Sequence, residues 1–316
     1  MKKSQLLAEG KTKRLYRTEE DEHLLIIESK DDITKNDDPS QTKLMASKAK
    51  FSTATTSIVF ELLKKAGIPV AYKRQLSSET EFLAVNCKMI KLEVVVRRYA
   101  VGSYLKRYPN LEKKTGETPH RFHRLVFELF LKTTGGKIIT DREKWAGTAV
   151  DYKTGKPVDD PFIENPYDEI WVLKHPKIPE WEIGSDIFRR FLKRNFLPKK
   201  VTVEKIEETA RKVFLLLEEA WAQRGCHLVD SKIELGIDKN GNLLVADVID
   251  NDSWRLRTSD WTELSKQVFR DNSDMSEIAD KYALVAYLVE KFTMPRHVAI
   301  SIAYMHRRYE FEKLFN

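Results

Sequence analysis

Cysteine is scarce in this chain: two residues among 316, Cys87 and Cys226, far apart and without a CxxC. That excludes a disulfide framework and sets the expectation of reduced thiols in a cytoplasmic protein. The seven histidines are scattered without metal-ligand spacing, and there is neither an HExxH nor a Cys/His cluster. Zinc is therefore not expected. No apolar run approaches the length of a membrane span, and the opening MKKSQLLAEG lacks the apolar core of a signal peptide. A soluble chain with no membrane partner is expected. There is also no internal repeat, no GxGxxG and no Walker A motif, which sets aside the usual dinucleotide and P-loop sites.

What is present is positive charge. Lys and Arg total 55 against 48 Asp and Glu, a net charge of +7. The excess is spread along the chain and fits an anionic small molecule at least as well as nucleic acid. An aromatic-interleaved basic patch or a known nucleic-acid motif is missing, so nucleic acid is not the expected partner. At this length two or three packed units are expected.

The most informative stretch is LVDSKIELGIDKNGNLLVADVIDNDSWR, residues 228–255. Two strand-like runs flank Asn240-Gly241, a strong hairpin signal. A two-residue turn there predicts that Lys239 faces Asn242, Ile237 faces Leu244 and Glu234 faces Asp247. Ile233, Leu235 and Ile237 then share an inward face with Leu244, Ala246 and Val248, leaving Asp230, Lys232, Glu234 and Asp247 on the other. Two facing carboxylates at about 5 Å repel by roughly 3 kcal/mol at an effective dielectric of about 20. Ordinary cross-strand packing contributes only about 0.2–1 kcal/mol. A positive group is therefore expected between them: Lys232, a shared proton or a divalent cation, for which Mg²⁺ suits so few oxygen donors.

Elsewhere, residues 6–30 read as β structure, LLAEGKTKRLYRT broken at Gly10 and then HLLIIES as a second strand, with Lys11 and Lys13 on one face near a glycine turn. Asp31–Thr42 reads as a loop. A helix is expected from about Leu44 to Lys65, closed by Gly67 and Pro69. Further strands are expected over YKRQL, EFLAVNCKMIKL and Glu93–Val96. Ser103 is expected to cap a short helix beside Arg97, with Lys106-Arg107 on its solvated face. FELFLKTTGG reads as a strand ending at Lys132, and 135–161 as a long loop containing Trp145. Trp171 and Trp181 are expected to pack. The clearest helix runs from about Val203 to Arg224 and stops at Gly225. Another is expected over Ile278–Phe292, broken by Pro295 and followed by a basic last helix.

The order EGKTKRLY, VVVRRYAVGS, FLK, LVDSKIELG and ADVIDNDSWRL resembles the SAICAR synthetase (phosphoribosylaminoimidazole-succinocarboxamide synthase) family along nearly the whole chain. ADVIDNDSWRL is most similar to the synthetase domain of the bifunctional animal members, and a synthetase alone is expected here. The resemblance implies an α+β, two-lobed, ATP-grasp/kinase-like fold with antiparallel sheets and a cleft for ATP. Its segments would be a β-rich ATP lobe (1–91), a central lobe with the substrate and metal site (92–262) and a C-terminal helical segment (263–316). The implied activity is ATP-dependent joining of L-aspartate to the carboxylate of the imidazole ribonucleotide CAIR, in purine biosynthesis. By the same resemblance Gly10, Lys11 and Lys13 cover the ATP phosphates, Lys88 and Met89 read adenine, and Glu93 meets the ribose. Lys132 contacts phosphate, and Glu234 and Asp247 hold Mg²⁺. Arg97 and Ser103 grip the CAIR 5′-phosphate, Asp230, Asp252 and Arg255 surround its ribose and base, and Lys232 lies near its reacting carboxylate. Lys132, Lys232 and Asp230 are the implied catalytic groups, and Asp160 lies near the aspartate substrate.

There are departures from the family pattern. Thr34-Lys35-Asn36-Asp37 replaces a Thr/Ser-Ala-Gly-Asp/Asn turn, and Thr133-Thr134 replaces an acidic pair. The stretch between Lys132 and Asp160 is longer than usual, and Lys91 stands where proline is common. Asp230-Ser231-Lys232 is also similar to the DxK of inositol polyphosphate kinases, an alternative within enzymes, while a basic nucleic-acid-binding protein is the alternative outside them. Oligomeric state is left open, a homo-oligomer included.

Overall fold

The computed structural model describes residues 1–34, 39–114, 116–179, 181–182, 186–271 and 274–294. Up to the middle of the chain the elements are β1 (Lys3–Glu9), β2 (Lys13–Thr18), β3 (Leu24–Ser29), β4 (Asp32–Thr34), β5 (Thr42–Leu44), α1 (Lys48–Lys65), β6 (Tyr72–Gln75), β7 (Glu81–Val85), β8 (Lys88–Met89), β9 (Leu92–Tyr99), α2 (Ser103–Arg107) and β10 (Arg121–Leu131). There follow β11 (Lys137–Ile139), β12 (Trp145–Thr148), β13 (Phe162–Ile163), β14 (Ile170–Lys174), β15 (Asp186–Leu192), α3 (Val203–Ala222), β16 (Cys226–Ile237), β17 (Leu243–Ala246), β18 (Trp254–Thr258), α4 (Gln267–Arg270) and α5 (Met275–Val289). The chain is α+β, with antiparallel pairing in its sheets. Among the described residues no helix is long and apolar enough to cross a membrane.

Two compact units emerge, one of residues 1–86, 212–228 and 248 onward, the other of 87–211 and 229–247. In the first, a five-stranded sheet in the order β1-β2-β3-β7-β6 packs against α1. Phe60 of α1 stacks on Tyr72 of β6 with ring centroids 5.7 Å apart. The helix ends where Gly67 turns into positive φ, as expected. Its start differs. Thr42–Leu44 pairs with Asp32–Thr34 as a small hairpin, and α1 begins only after Ser47, which is left-handed. The Asp31 carboxylate accepts from Ala49 N at 2.8 Å, supplying from a distance the N-terminal acceptor that a local cap would. The expected loop over Asp31–Thr42 is thus in part a β-hairpin whose three-residue strands are too short to show a period. A second core joins Ile33 and Met45 to Val268, Phe269, Ile278 and Tyr282, seating α5. The expected last helix and the Lys35–Asp37 departure lie outside the described residues.

In the second unit the sheet runs β15-β14-β13-β10-β9-β16-β17, with β8 also on β16. The β16–β17 hairpin corrects the expected register. Glu234 pairs with Ala246, Leu235 with Val245 and Ile237 with Leu243, one residue off the two-residue-turn prediction. The cause is Asp238. Its carboxylate accepts from the backbone of Asn240 and Asn242 (2.9 and 2.8 Å) and from the Asn242 side chain. An Asx-type turn of this kind makes a five-residue loop. Leu235 and Ile237 consequently share a face with Leu243 and Val245, not with Leu244 and Ala246.

Three further expectations change here. Residues 137–148 form the β11–β12 hairpin, with Val150 bridged to Pro157; strands this short leave no hydrophobic period. Arg107 is fully buried rather than solvated. Trp171 is buried and stacks on Phe196, but Trp181 is 65% exposed, carried outward by the turn in which Glu182 N donates to Pro179 O.

Candidate active site

Strand β9 lies between β10 and β16, and its register fixes which side chains share a face. Arg97 pairs with Val126 on one side and Asp230 on the other; Val95 pairs with Glu128 and Lys232; Glu93 pairs with Phe130. Partners point the same way and alternate residues return to that face. One face of three strands therefore carries Arg97, Glu128, Asp230, Lys232, Glu93 and Glu234, with Lys132 just past the end of β10.

The charges on this face pair among themselves. Arg97 Nε donates to Glu128 and its Nη1 to Asp230, each at 2.5 Å, and its Nη2 donates to Ser103 Oγ at 3.2 Å. Arg107 donates to the other Glu128 oxygen and to Pro176 O at 2.9 Å, with its guanidinium 4.4 Å from the Phe162 ring centroid. Further along, Lys232 Nζ lies 3.0 Å from Glu93, and Lys132 Nζ 2.5 Å from Glu234. Burial is graded along the ladder. Arg97 and Glu128 are 3% exposed, whereas the Lys132 and Lys232 side chains are 42% and 43% exposed. The closed end is a rigid four-charge lattice; the open end holds two cations on exchangeable carboxylates. Glu128 carries no signal in the sequence, and Arg107 reads there as part of a solvated face. FELFLK places Glu128 on a strand, but nothing local shows that a buried cation lies on each side of it.

The positive group expected beside Glu234 is thus Lys132, not Lys232. Asp247 does not face Glu234. It follows Ala246, the residue that does, and takes a left-handed φ of 62°, which ends β17. Ser103 is the first residue of α2 rather than its cap. Gly102 at φ 60° precedes it without a side-chain cap, which leaves the Ser103 hydroxyl to Arg97. Lys88 and Met89 pair with Ile237 and Gly236; Lys88 Nζ lies 2.8 Å from Asp141. Asp160, at φ 49°, accepts from Thr133 N at 3.0 Å while Thr133 Oγ1 accepts from Asp160 N at 2.9 Å. Burial pushes the Asp160 carboxyl from 3.8 up to about 6 against that hydrogen bond, with Glu93 and Asp159 adding to the rise. Thr133, the first of the two residues that replace the family's acidic pair, thus positions Asp160.

In the first unit, Gly10 N donates to Lys13 O at 2.9 Å, closing the β1–β2 turn around Lys11. Asp252 sits in a tight turn where Asn251 accepts from Trp254 Nε1 (2.9 Å) and donates to Leu264 O (2.9 Å). Its carboxylate meets Lys266 Nζ at 3.1 Å, Lys48 Nζ at 3.4 Å and the Tyr282 hydroxyl. Burial alone would raise this carboxyl, but Lys48, Lys266 and Tyr282 hold it well below the usual range. Arg255 is the second residue of β18. Lys48, Lys266 and Tyr282 carried no signal in the sequence, since all three read as parts of helices or polar stretches.

No group of three or more His, Cys, Asp or Glu residues arranged for a metal occurs among the described residues. A Glu234–Asp247 set fits only an ion content with one or two carboxylates, as Mg²⁺ is when phosphate and water complete its shell.

An α+β chain with charged groups graded from a buried lattice to an open rim is built as an enzyme site for charged small molecules. Comparison with known proteins makes the class particular. The SAICAR synthetase family model matches residues 6–146 and 188–285. A phosphoribosylaminoimidazole-succinocarboxamide synthase of Chloroflexus aurantiacus is 35% identical over 296 residues, 91% of this chain and 96% of that protein. The human bifunctional phosphoribosylaminoimidazole carboxylase/succinocarboxamide synthetase is 32% identical over 273 residues, 85% of this chain and 53% of that one. The chain spans about half the length of its animal relatives. The solved structure of a SAICAR synthetase (type 2) in complex with ADP is similar with a TM-score of 0.63 and 27% identity, covering 92% of this chain and 99% of that one. The chain belongs to the SAICAR synthetase family.

Proposed function

We propose that this chain joins L-aspartate to the carboxylate of CAIR with ATP, giving SAICAR, ADP and phosphate, in purine biosynthesis. The observation that carries the reading is the family match over residues 6–146 and 188–285, which contains every assigned residue except Asp160. A carboxylate oxygen of CAIR takes the γ-phosphoryl group and ADP leaves. The aspartate amine then attacks the acyl carbon, phosphate departs, and the amine loses a proton as the amide forms.

The residues divide this work. Gly10, Lys11 and Lys13 lie over the ATP phosphates, Lys88 and Met89 at the adenine, and Glu93 at the ribose. Lys132 exchanges Glu234 for a phosphoryl oxygen, a charge-assisted contact that strengthens as charge shifts onto the leaving phosphate. Glu234 and Asp247 would hold Mg²⁺, whose chemistry is to neutralise phosphate oxygens. Arg97 and Ser103 hold the CAIR 5′-phosphate, and Asp230 fixes the guanidinium. Lys232 lies at the reacting carboxylate, and Asp252 and Arg255 toward ribose and base. Asp160, with its carboxyl near 6, suits accepting the amine proton close to neutral pH. A soluble cytoplasmic enzyme using only small molecules is the setting that fits two cysteines outside any disulfide and this chemistry.

The test is ADP release from MgATP by the purified chain with CAIR and L-aspartate, each omitted in turn. Turnover requiring both, with the succinylated amide as product, is the expected result. ADP release with CAIR alone and no amide would overturn the reading.

A further inference from the structure

A pocket of about 910 Å³ opens between the β11–β12 hairpin and residues 193–201; none of its lining residues is assigned to the site above, which it touches only through the Asp141–Lys88 pair. Its volume lies in the range of small-ligand pockets, about 300–1,000 Å³. Five cations line it: Arg142, Lys144, Lys193, Arg194 and Lys199. The acidic residues opposing them are Asp141 and Glu169, and Asp141 is already held by Lys88 at 2.8 Å. Lys193 Nζ is turned to Tyr167 O at 2.7 Å. Among the described residues Arg142, Lys144, Arg194 and Lys199 make no ion pair, unlike the cations of the ladder. Concave surface with unbalanced charge of one sign concentrates counter-ions.

The wall also presents an indole. Trp145 lines the pocket and is 68% exposed, so most of its indole is accessible from the pocket for a ring to stack on. The surroundings are fixed in advance. Thr140 N donates to Lys144 O at 2.9 Å, and Glu143 N to Thr140 O at 3.0 Å. Asp141 N donates to Asn195 O at 2.8 Å, tying the two walls together, and Glu143 is paired with Lys91 at 3.0 Å. Arg142 and Lys144 therefore project from a braced loop, which lowers the ordering cost of binding.

Several free cations beside an exposed aromatic face select an anion that carries a flat ring. We propose that this pocket is a second ligand site that takes a nucleoside polyphosphate, its phosphates on Arg142, Lys144, Arg194 and Lys199 and its base stacked on Trp145. The site is independent of the ligation reading and does not require it.

The test is calorimetric titration of the full chain with ADP at low salt, against Arg142→Ser/Arg194→Ser and Trp145→Ala variants. The expected result is one binding event that the double variant weakens by at least roughly tenfold and that added salt weakens further. Binding assigned to Lys11, Lys13 and Lys132 should persist in the double variant. If the ligation reading fails, the wild type should show the pocket event alone and the double variant none. Identical isotherms for wild type and double variant would overturn the site. Inorganic tripolyphosphate and a short single-stranded RNA separate the ligand classes. Trp145→Ala should weaken ADP but leave tripolyphosphate unchanged. Tripolyphosphate binding as tightly as ADP to the wild type, or RNA displacing ADP at concentrations well below those of ADP itself, would overturn the nucleotide assignment.

Discussion

Glu128 is the residue on which the closed end of the ladder depends. It takes one guanidinium on each oxygen, Arg97 and Arg107, and all three are buried. Removing its charge leaves two desolvated cations, Arg97 still on Asp230 and Arg107 deprived of the Glu128 carboxylate. Glu128→Gln should lower unfolding free energy by about 3–5 kcal/mol, the range for breaking a buried pair, read from urea midpoints. Glu128→Leu with Arg107→Met keeps Arg97 on Asp230 and should be more stable than Glu128→Gln; a less stable double variant would show that Glu128 is not held for charge. Asp160 has the opposite character. Its folded carboxyl lies near 6 against 3.8, so the folded state binds the extra proton. Its contribution is most favourable at acid pH and is lost as pH rises from about 4 through about 6. Asparagine tolerates the left-handed backbone at this position and still accepts from Thr133 N. Asp160→Asn should therefore gain melting temperature relative to wild type at pH 7.5 but not at pH 4.5.

At the scale of elements, long periodic segments were legible and short or cross-linked ones were not. Val203, Ile206, Ala210, Val213 and Leu217 are all buried on α3, as their spacing predicts, and Gly67 and Gly225 end α1 and the α3 segment at positive φ. The β16–β17 hairpin was recognisable, but its register turned on one side chain, Asp238, outcompeting the Asn-Gly turn. Arg107 was misjudged because its partners lie 21 and 69 residues away, beyond any local pattern. The charged residues of β9 and β16 could be singled out in sequence, yet their face-sharing needed the pairing that only the fold supplies. Gly236 shows what such pairing demands. A Cβ there would meet Cys87 Cβ at 2.6 Å, so glycine is what lets β8 lie against β16. Gly236→Ala should loosen this junction, speeding hydrogen exchange at the Ile90 amide, which donates to Leu235 O at 2.9 Å. It should also raise the apparent KM for ATP several-fold; unchanged exchange at Ile90 would contradict the tight approach.

At the scale of the molecule, the first unit is assembled from three separated stretches of chain. Its second core draws Val268, Phe269, Ile278 and Tyr282 onto Ile33 and Met45, and Trp254 packs edge-on against Trp221 at 5.4 Å. A chain ending at Asp247 would keep the glycine turn and the entire ladder, yet should fail to fold its first unit. Near-UV circular dichroism and protease resistance of residues 1–86 would report this; a native-like spectrum would refute it.

The pleat of β9 has a metric consequence. Alternate residues on a strand repeat at about 6.6–6.8 Å, so Arg97 and Glu93, four positions apart, stand roughly 13 Å from each other with no hinge between them. Each stud is locked by a neighbouring strand, so the interval cannot be adjusted without slipping the pairing by two residues. The sheet works as a spacer: whatever Arg97 and Glu93 each hold is kept about two pleats apart, and no side-chain rotation closes that interval.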